Sequence, residues 1–108
     1  MTSFGLTVAE IQLIREVFRR HPEVTLVKVF GSRAKGTQRP CSDVDLVLWG
    51  DLDVLRVARI SGELDELALP YVFDLVAYRA IHHPELQAHV DRVGRVVYEL
   101  QEEPASGA

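Results

Sequence analysis

Apolar residues recur at helical spacing near the start of the chain. Thr7 and Glu10 stand at the spacing of a capping box, which predicts that a helix begins there. Pro22 ends this helix, because the residue before a proline is pushed out of the helical region. The sequence therefore predicts an amphipathic helix over residues 7–20, whose apolar face is formed by Val8, Ile11, Ile14, Val17 and Phe18.

Four apolar runs rich in branched and aromatic residues predict β-strands. They cover residues 24–30, 43–49, 71–78 and 95–100. Turn-forming residues such as glycine, serine and proline adjoin most of these runs and mark their ends.

Helical spacing returns twice between the strands. Residues 52–69 predict a second helix that Ser61-Gly62 could bend and Pro70 ends, and residues 84–92 predict a third, shorter one. Helices and strands alternate without an internal repeat. This order predicts one layered fold of the α/β or α+β class.

The length and composition of the chain fit one compact domain. Its 108 residues and 47% hydrophobic content predict a single folded unit over residues 1–100, followed by a disordered tail over residues 101–108. The net charge of −4 argues against a surface that wraps nucleic acid by neutralising phosphates.

The sequence also carries signals about the compartment. Cys41 is the single cysteine, so it cannot form an internal disulfide and does not complete a zinc site. No apolar run approaches the roughly 18 residues of a membrane span, and the first residues lack the basic leader of a secretory signal. We therefore expect a soluble, cytoplasmic protein without a membrane partner.

The turn after the first predicted strand is a candidate anion site. Gly31-Ser32 would place free backbone amides at the start of a helix, where a phosphate can bind. An ordinary strand-to-helix corner explains the same residues. A nucleotide-binding P-loop does not fit, because Lys35 precedes Gly36 instead of following it.

Two aspartates open the second predicted strand. Asp43 and Asp45 are two residues apart, so their side chains point to the same face and can converge on one cation. Paired carboxylates suit a hard cation such as Mg²⁺. The alternative is a solvated strand end that carries two surface acids.

Asp74 is a third acid, in the middle of an apolar strand. If its strand lies beside that of Asp45, three carboxylates share one edge of the sheet and could hold two metal ions for phosphoryl transfer. The alternative is a buried salt bridge between Asp74 and Arg33 or Arg79.

Other polar and aromatic residues carry weaker signals. His82, His83 and His89 lack the partners of a zinc site. Trp49 and Tyr78 stand near strand ends, where aromatic residues of the core or its rim are more common than platforms for base stacking.

These motifs together resemble those of a known family, the nucleotidyltransferases that share a catalytic core with DNA polymerase beta. Its pattern is Gly-Ser after a strand, a gap of about ten residues, and Asp-x-Asp. Here Gly31-Ser32 is followed by ten residues and then Asp43-Val44-Asp45. The likeness extends over residues 7–100, and the sequence most resembles the minimal, stand-alone members of the family. The resemblance therefore implies a mixed sheet flanked by helices.

The resemblance implies a role for each matched residue. Asp43 and Asp45 would bind Mg²⁺ together with the nucleoside triphosphate. Asp74 would bind a second Mg²⁺ and activate the attacking hydroxyl. Gly31 and Ser32 would hold the β- and γ-phosphates. Arg33, like Lys35, would at most add an auxiliary phosphate contact or be a solvated loop charge.

The resemblance also implies a partner. Minimal members typically act with a small all-helical protein of the HEPN type, as antitoxins, and some transfer AMP from ATP to a tyrosine on it. The leading hypothesis is therefore transfer of a nucleoside monophosphate to a protein hydroxyl. The alternatives are an antitoxin that neutralises its partner by occlusion alone and, less compatible with this length, a sugar transferase. Assembly with itself or with the partner stays open.

Overall fold

A computed structural model of the chain describes residues 2–3, 6–30 and 43–100. The helices and strands follow one another as β1 (Thr2–Ser3), β2 (Leu6–Thr7), α1 (Val8–Arg19), β3 (Val24–Phe30), β4 (Val44–Gly50), α2 (Val54–Asp65), β5 (Phe73–Ala77), a 3-10 helix (Tyr78–Ala80), α3 (Pro84–Val93) and β6 (Arg95–Glu99).

The main sheet has four strands in the order β5-β4-β3-β6. Strand β3 is antiparallel to both β4 and β6, whereas β4 and β5 run parallel, joined by a crossover through α2. The expected mixed sheet flanked by helices is confirmed. Strands β1 and β2 form a separate two-stranded pair.

Helix α1 begins as its sequence predicts. The backbone N–H of Glu10 donates to the Thr7 hydroxyl, and the Thr7 N–H donates to the Glu10 carboxylate, at 3.1 and 2.8 Å. The capping box is therefore confirmed. The helix buries Ile11, Ile14, Val17 and Phe18 of the predicted apolar face. Val8, which was predicted on the same face, is 58% exposed because it is the first residue of the helix.

The two faces of the sheet are covered differently. On one face, α1 and α2 pack over the larger core, which includes Val27, Leu46 and Leu48. On the other face, α3 covers a smaller cluster around Val47 and Val90. Because side chains alternate along β4, Asp45 points to the same face as Val47.

Several boundaries differ from the predicted ones. The second helix is Val54–Asp65, shorter than the predicted 52–69, because Asp53 caps its start and the chain turns after Glu66. The helix runs unbroken through Ser61-Gly62. The strand predicted over residues 71–78 is β5, Phe73–Ala77. It ends at Ala77 because the next residues form the 3-10 helix. In the part of the chain that the structure describes, no helix has the length and apolar character needed to span a bilayer.

Candidate functional site

Two of the three candidate acids stand side by side in the sheet. Asp45 of β4 and Asp74 of β5 are direct partners in the parallel ladder, so their Cα atoms are about 4.8 Å apart and their side chains share a face. A shared acidic site requires these two strands to be neighbours. The structure satisfies that condition.

Asp43 completes the group from just before β4. Asp43 and Asp74 are exposed, and Asp45 is half-buried. Asp43 lies directly before β4 and two residues before Asp45. Asp43 and Asp45 are both engaged in polar interactions. Asp45 and Asp74 therefore share one face at one end of the sheet, and Asp43 is close to them along the chain.

The candidate phosphate-binding residues lie outside the described residues. Gly31, Ser32 and Arg33, like Lys35, fall in residues 31–42. The described chain leads to them through Phe30, the last residue of β3, which is the direct antiparallel partner of Asp45. Residue 31 therefore follows a backbone position that is adjacent to the acids.

The proposed salt bridge between Asp74 and Arg79 is wrong. Arg79 Nη1 lies 2.8 Å from Asp51 Oδ1, and Asp74 is exposed. The physical reason is that β5 is an edge strand among the described strands, so a charge on it reaches solvent without a buried counter-ion. The other suggested partner, Arg33, lies outside the described residues.

The acids offer the donor chemistry that Mg²⁺ requires, because carboxylate oxygens are its preferred protein ligands. Among residues 2–3, 6–30 and 43–100, no three acidic, histidine or cysteine side chains already form a group that could hold a metal ion. Asp43 and Asp74 are exposed, so they can change rotamer without loss of packing. The residues present therefore fit the ion by chemistry and by shared face.

Aromatic residues close the opposite end of the same face. Trp49 stacks on Tyr78 with ring centroids 4.6 Å apart, and Lys28 Nζ lies 5.4 Å from the Trp49 ring centroid. Tyr78 donates a hydrogen bond to Asp91 at 2.9 Å, and this bond is the main cause that raises the pKa of Tyr78. Both aromatic rings therefore pack at the rim of the smaller core.

Sequence reasoning missed a groove beside Asp74. The groove has a volume of about 580 Å³ and lies between α2 and β5, and residues from Phe73 to Ala77 line it along their whole strand. At its far end Val54 is 84% exposed. An apolar residue directly after the helix cap Asp53 was the available signal, but the sequence alone does not show which strand lies beside it.

Comparisons with known proteins agree with this geometry. The family model described as "Polymerase beta, Nucleotidyltransferase" matches residues 12–103. A "Putative protein adenylyltransferase" of Methanocaldococcus jannaschii is 25% identical over 87 residues, which cover 72% of this chain and 88% of that protein.

Solved structures share the fold. A toxin-antitoxin crystallised with AMP-PNP has a chain that is 28% identical, with a TM-score of 0.70 over 84% of this chain and 74% of that chain. In the complex of a tri-AMPylated Shewanella oneidensis HEPN toxin with its MNT antitoxin, the matching chain is 22% identical, with a TM-score of 0.64 over 85% of this chain and 71% of that one. Both of these structural neighbours are toxin-antitoxin complexes, and the second is named as a HEPN toxin with an MNT antitoxin.

The family model covers most of the chain, including both candidate Asp-x-Asp residues and Asp74. The fold agrees with that of the structural neighbours. The chain therefore belongs to the polymerase beta nucleotidyltransferase family.

Proposed function

We propose that this protein is a Mg²⁺-dependent nucleotidyltransferase that transfers AMP from ATP to a hydroxyl group of a partner protein. The observation that carries the proposal is the pairing of Asp45 with Asp74 across neighbouring strands, with Asp43 two residues before Asp45. Two carboxylates on one face repel each other, and a bound cation offsets that cost best.

The three acids divide two tasks between them in this proposal. Asp43 and Asp45 would bind the Mg²⁺ that accompanies the triphosphate. Asp74 would bind a second Mg²⁺ and receive the proton of the acceptor hydroxyl. Gly31 and Ser32 hold the β- and γ-phosphates, and Arg33 adds an auxiliary contact. Bound Mg²⁺ supplies charge neutralisation to the phosphates.

The chemical step is a substitution at the α-phosphorus of ATP. The acceptor oxygen forms a bond to this phosphorus while the bond from the phosphorus to the bridging oxygen of the β-phosphate breaks. Pyrophosphate leaves, and Asp74 accepts the proton of the acceptor hydroxyl. Orientation then supplies much of the rate, because both reactants are held beside carboxylates that are carried by neighbouring strands.

The acceptor is proposed to be a small all-helical HEPN toxin, which makes this chain the antitoxin of the pair. Support comes from the relatives: one is a toxin-antitoxin with AMP-PNP, and one contains a HEPN toxin that is tri-AMPylated. The M. jannaschii relative has the name of a protein adenylyltransferase.

The test compares Asp45→Asn with Asp91→Asn. Asp91 is an exposed acid on α3 that accepts a hydrogen bond from Tyr78, and an amide oxygen can accept the same bond. The wild type should transfer labelled AMP to the HEPN-type product of the adjacent reading frame, and Asp45→Asn should reduce transfer about 100-fold or more. Transfer by Asp91→Asn should be unchanged.

A thermal scan on the same proteins checks the ligand site directly. Mg²⁺ with ATP should raise the melting temperature of the wild type more than either alone, because each supplies ligands to the other. The shift should disappear in Asp45→Asn. Equal transfer by Asp45→Asn and the wild type would overturn the proposed function.

A further inference from the structure

We propose that the groove between α2 and β5 binds the acceptor protein through an extended segment, which adds to β5 as a further strand. The segment places its hydroxyl-bearing residue opposite Asp74. This inference rests on the proposed function, because Asp74 is there the group that receives the hydroxyl proton. Asp74 also lines the groove, so the groove is continuous with the candidate site.

The backbone of β5 is open toward the groove. In a parallel ladder, alternate residues of a strand bond to the same neighbour. The Val44 N–H donates to the Val72 carbonyl at 2.8 Å, and Val44 pairs with Phe73, so the even-numbered residues of β5 bond to β4. The N–H and C=O groups of Phe73, Leu75 and Ala77 therefore point to the outer edge. Among the described strands, none occupies that edge.

Helix α2 supplies an apolar wall beside this open edge. Val54, Val57, Ala58 and Ser61 line the groove, and their spacing places them on one face of the helix. Val54 is 84% exposed. An open strand edge next to apolar side chains is the arrangement that binds extended peptides, since the backbone gives affinity and the wall gives specificity.

The pleat of the sheet determines which side chain of the added strand meets which surface. A residue directly opposite Asp74 would point to the same face as Asp74, with Cβ atoms about 5 Å apart. Its two neighbours would point to the other face, against Val57 and Ala58. The acceptor segment is thus expected to have a hydroxyl-bearing residue opposite Asp74 and an apolar residue on each side of it.

Other occupants fit the groove less well. Residues 31–42 and 101–108, the longer segments outside the described residues, have no alternating apolar pattern. A second copy that paired through β5 about Leu75 would bring the two Asp74 residues about 8 Å apart on one face, where their charges repel. The acceptor strand avoids this repulsion because its hydroxyl residue is neutral.

The experiment uses the full chain and an array of nine-residue synthetic peptides with a central tyrosine or serine. The residues on each side of the centre are apolar in one set and Asp or Gly in the other. Bound protein and label transferred from radioactive ATP with Mg²⁺ are recorded separately. Binding and label should concentrate on peptides that have apolar residues at both flanking positions.

Two exposed residues of α2 give a matched pair of variants. Ala58 lines the groove, whereas Leu55, which is 79% exposed, does not. Ala58→Arg should weaken binding of the apolar peptides about tenfold or more, because a guanidinium in the groove must be desolvated. Leu55→Arg should bind them like the wild type. Val54→Glu is a second groove variant, at a helix start that favours an acid.

The two readouts separate the inference from the proposed function. Selective binding that is lost in both Ala58→Arg and Val54→Glu, without any transfer of label, would support the groove and count against AMP transfer. Labelling that ignores the flanking residues and is unchanged in both folded groove variants would overturn the groove and leave the transferase in place. An array with no bound peptide would also overturn the groove.

Discussion

His21 is a buried polar residue that links the end of α1 to α2. It is 4% exposed, its Nε2 lies 2.9 Å from Glu63 Oε1 on α2, and its Nδ1 lies 3.6 Å from Glu23 Oε1. The hydrogen bond to His21 is the main cause that lowers the pKa of Glu63, with Coulomb attraction from His21 and Arg20 adding to it, while burial acts in the opposite direction. A residue that looks like the end of a helix therefore ties α1 to α2.

The lowered pKa of Glu63 predicts a pH dependence of stability. A carboxylate whose folded pKa lies below its ordinary value of 4.5 stabilises the fold above that pH, and the contribution is lost as pH falls through the folded pKa. Glu63→Gln should reduce the free energy of unfolding at pH 7 by about 1 kcal/mol. It should also lose less stability than the wild type on acidification.

Urea unfolding at pH 7 and below pH 4 measures both effects. Glu66→Gln, at an exposed position just after α2, is the matched control and should change little. Parallel acid profiles of the wild type and Glu63→Gln would contradict the assignment.

Gly50 illustrates a backbone requirement at the end of β4. Its φ is 141°, and a Cβ there would collide with the carbonyl oxygen of Glu23. Gly50→Ala should therefore cost about 2 kcal/mol or more. Gly62→Ala is the matched control: this glycine lies in α2 with open space around its Cβ position, so it should gain up to about 1 kcal/mol. Denaturant midpoints measure both, and equal effects would refute the requirement.

At the scale of elements, local sequence patterns predict the helices and strands whose bounds depend on local conformational preference. The strand Val24–Phe30 has the predicted bounds, because branched residues favour an extended chain over its whole length. Helix α2 ends at Asp65 and not at the predicted residue 69, since Leu67 and Leu69 continue the apolar pattern after the helix has ended. The two-residue strands β1 and β2 were missed because two residues show no periodicity.

The site shows the same division between local and long-range information. Asp43, Asp45 and Asp74 were named from sequence, because acids in apolar strands are conspicuous. Their neighbourhood depended on which strands pair, and strand pairing is a long-range property that no local pattern reveals. The groove depends on an edge strand and a helix together, so sequence could not predict it.

At the scale of the whole molecule, the proposed antitoxin could neutralise its partner either by AMP transfer or by contact alone. Asp74 distinguishes the two, because in the proposed function it would receive the proton of the acceptor hydroxyl and bind only the second Mg²⁺, whereas Asp43 and Asp45 would bind the Mg²⁺ of the triphosphate. Asp74→Asn keeps the size of the side chain at an exposed position of β5. The variant should therefore fold and dock its partner like the wild type.

Asp74→Asn should bind ATP with Mg²⁺ almost normally but transfer AMP about 10²- to 10⁴-fold more slowly, because the hydroxyl loses its base. Transfer is measured with labelled ATP, and complex formation with the HEPN partner by calorimetry. Protection of a host that expresses the toxin should fall with the transfer rate if modification is the mechanism. Full protection by a variant that binds its partner and is shown to be inactive would instead establish occlusion, because contact is then all that the variant retains.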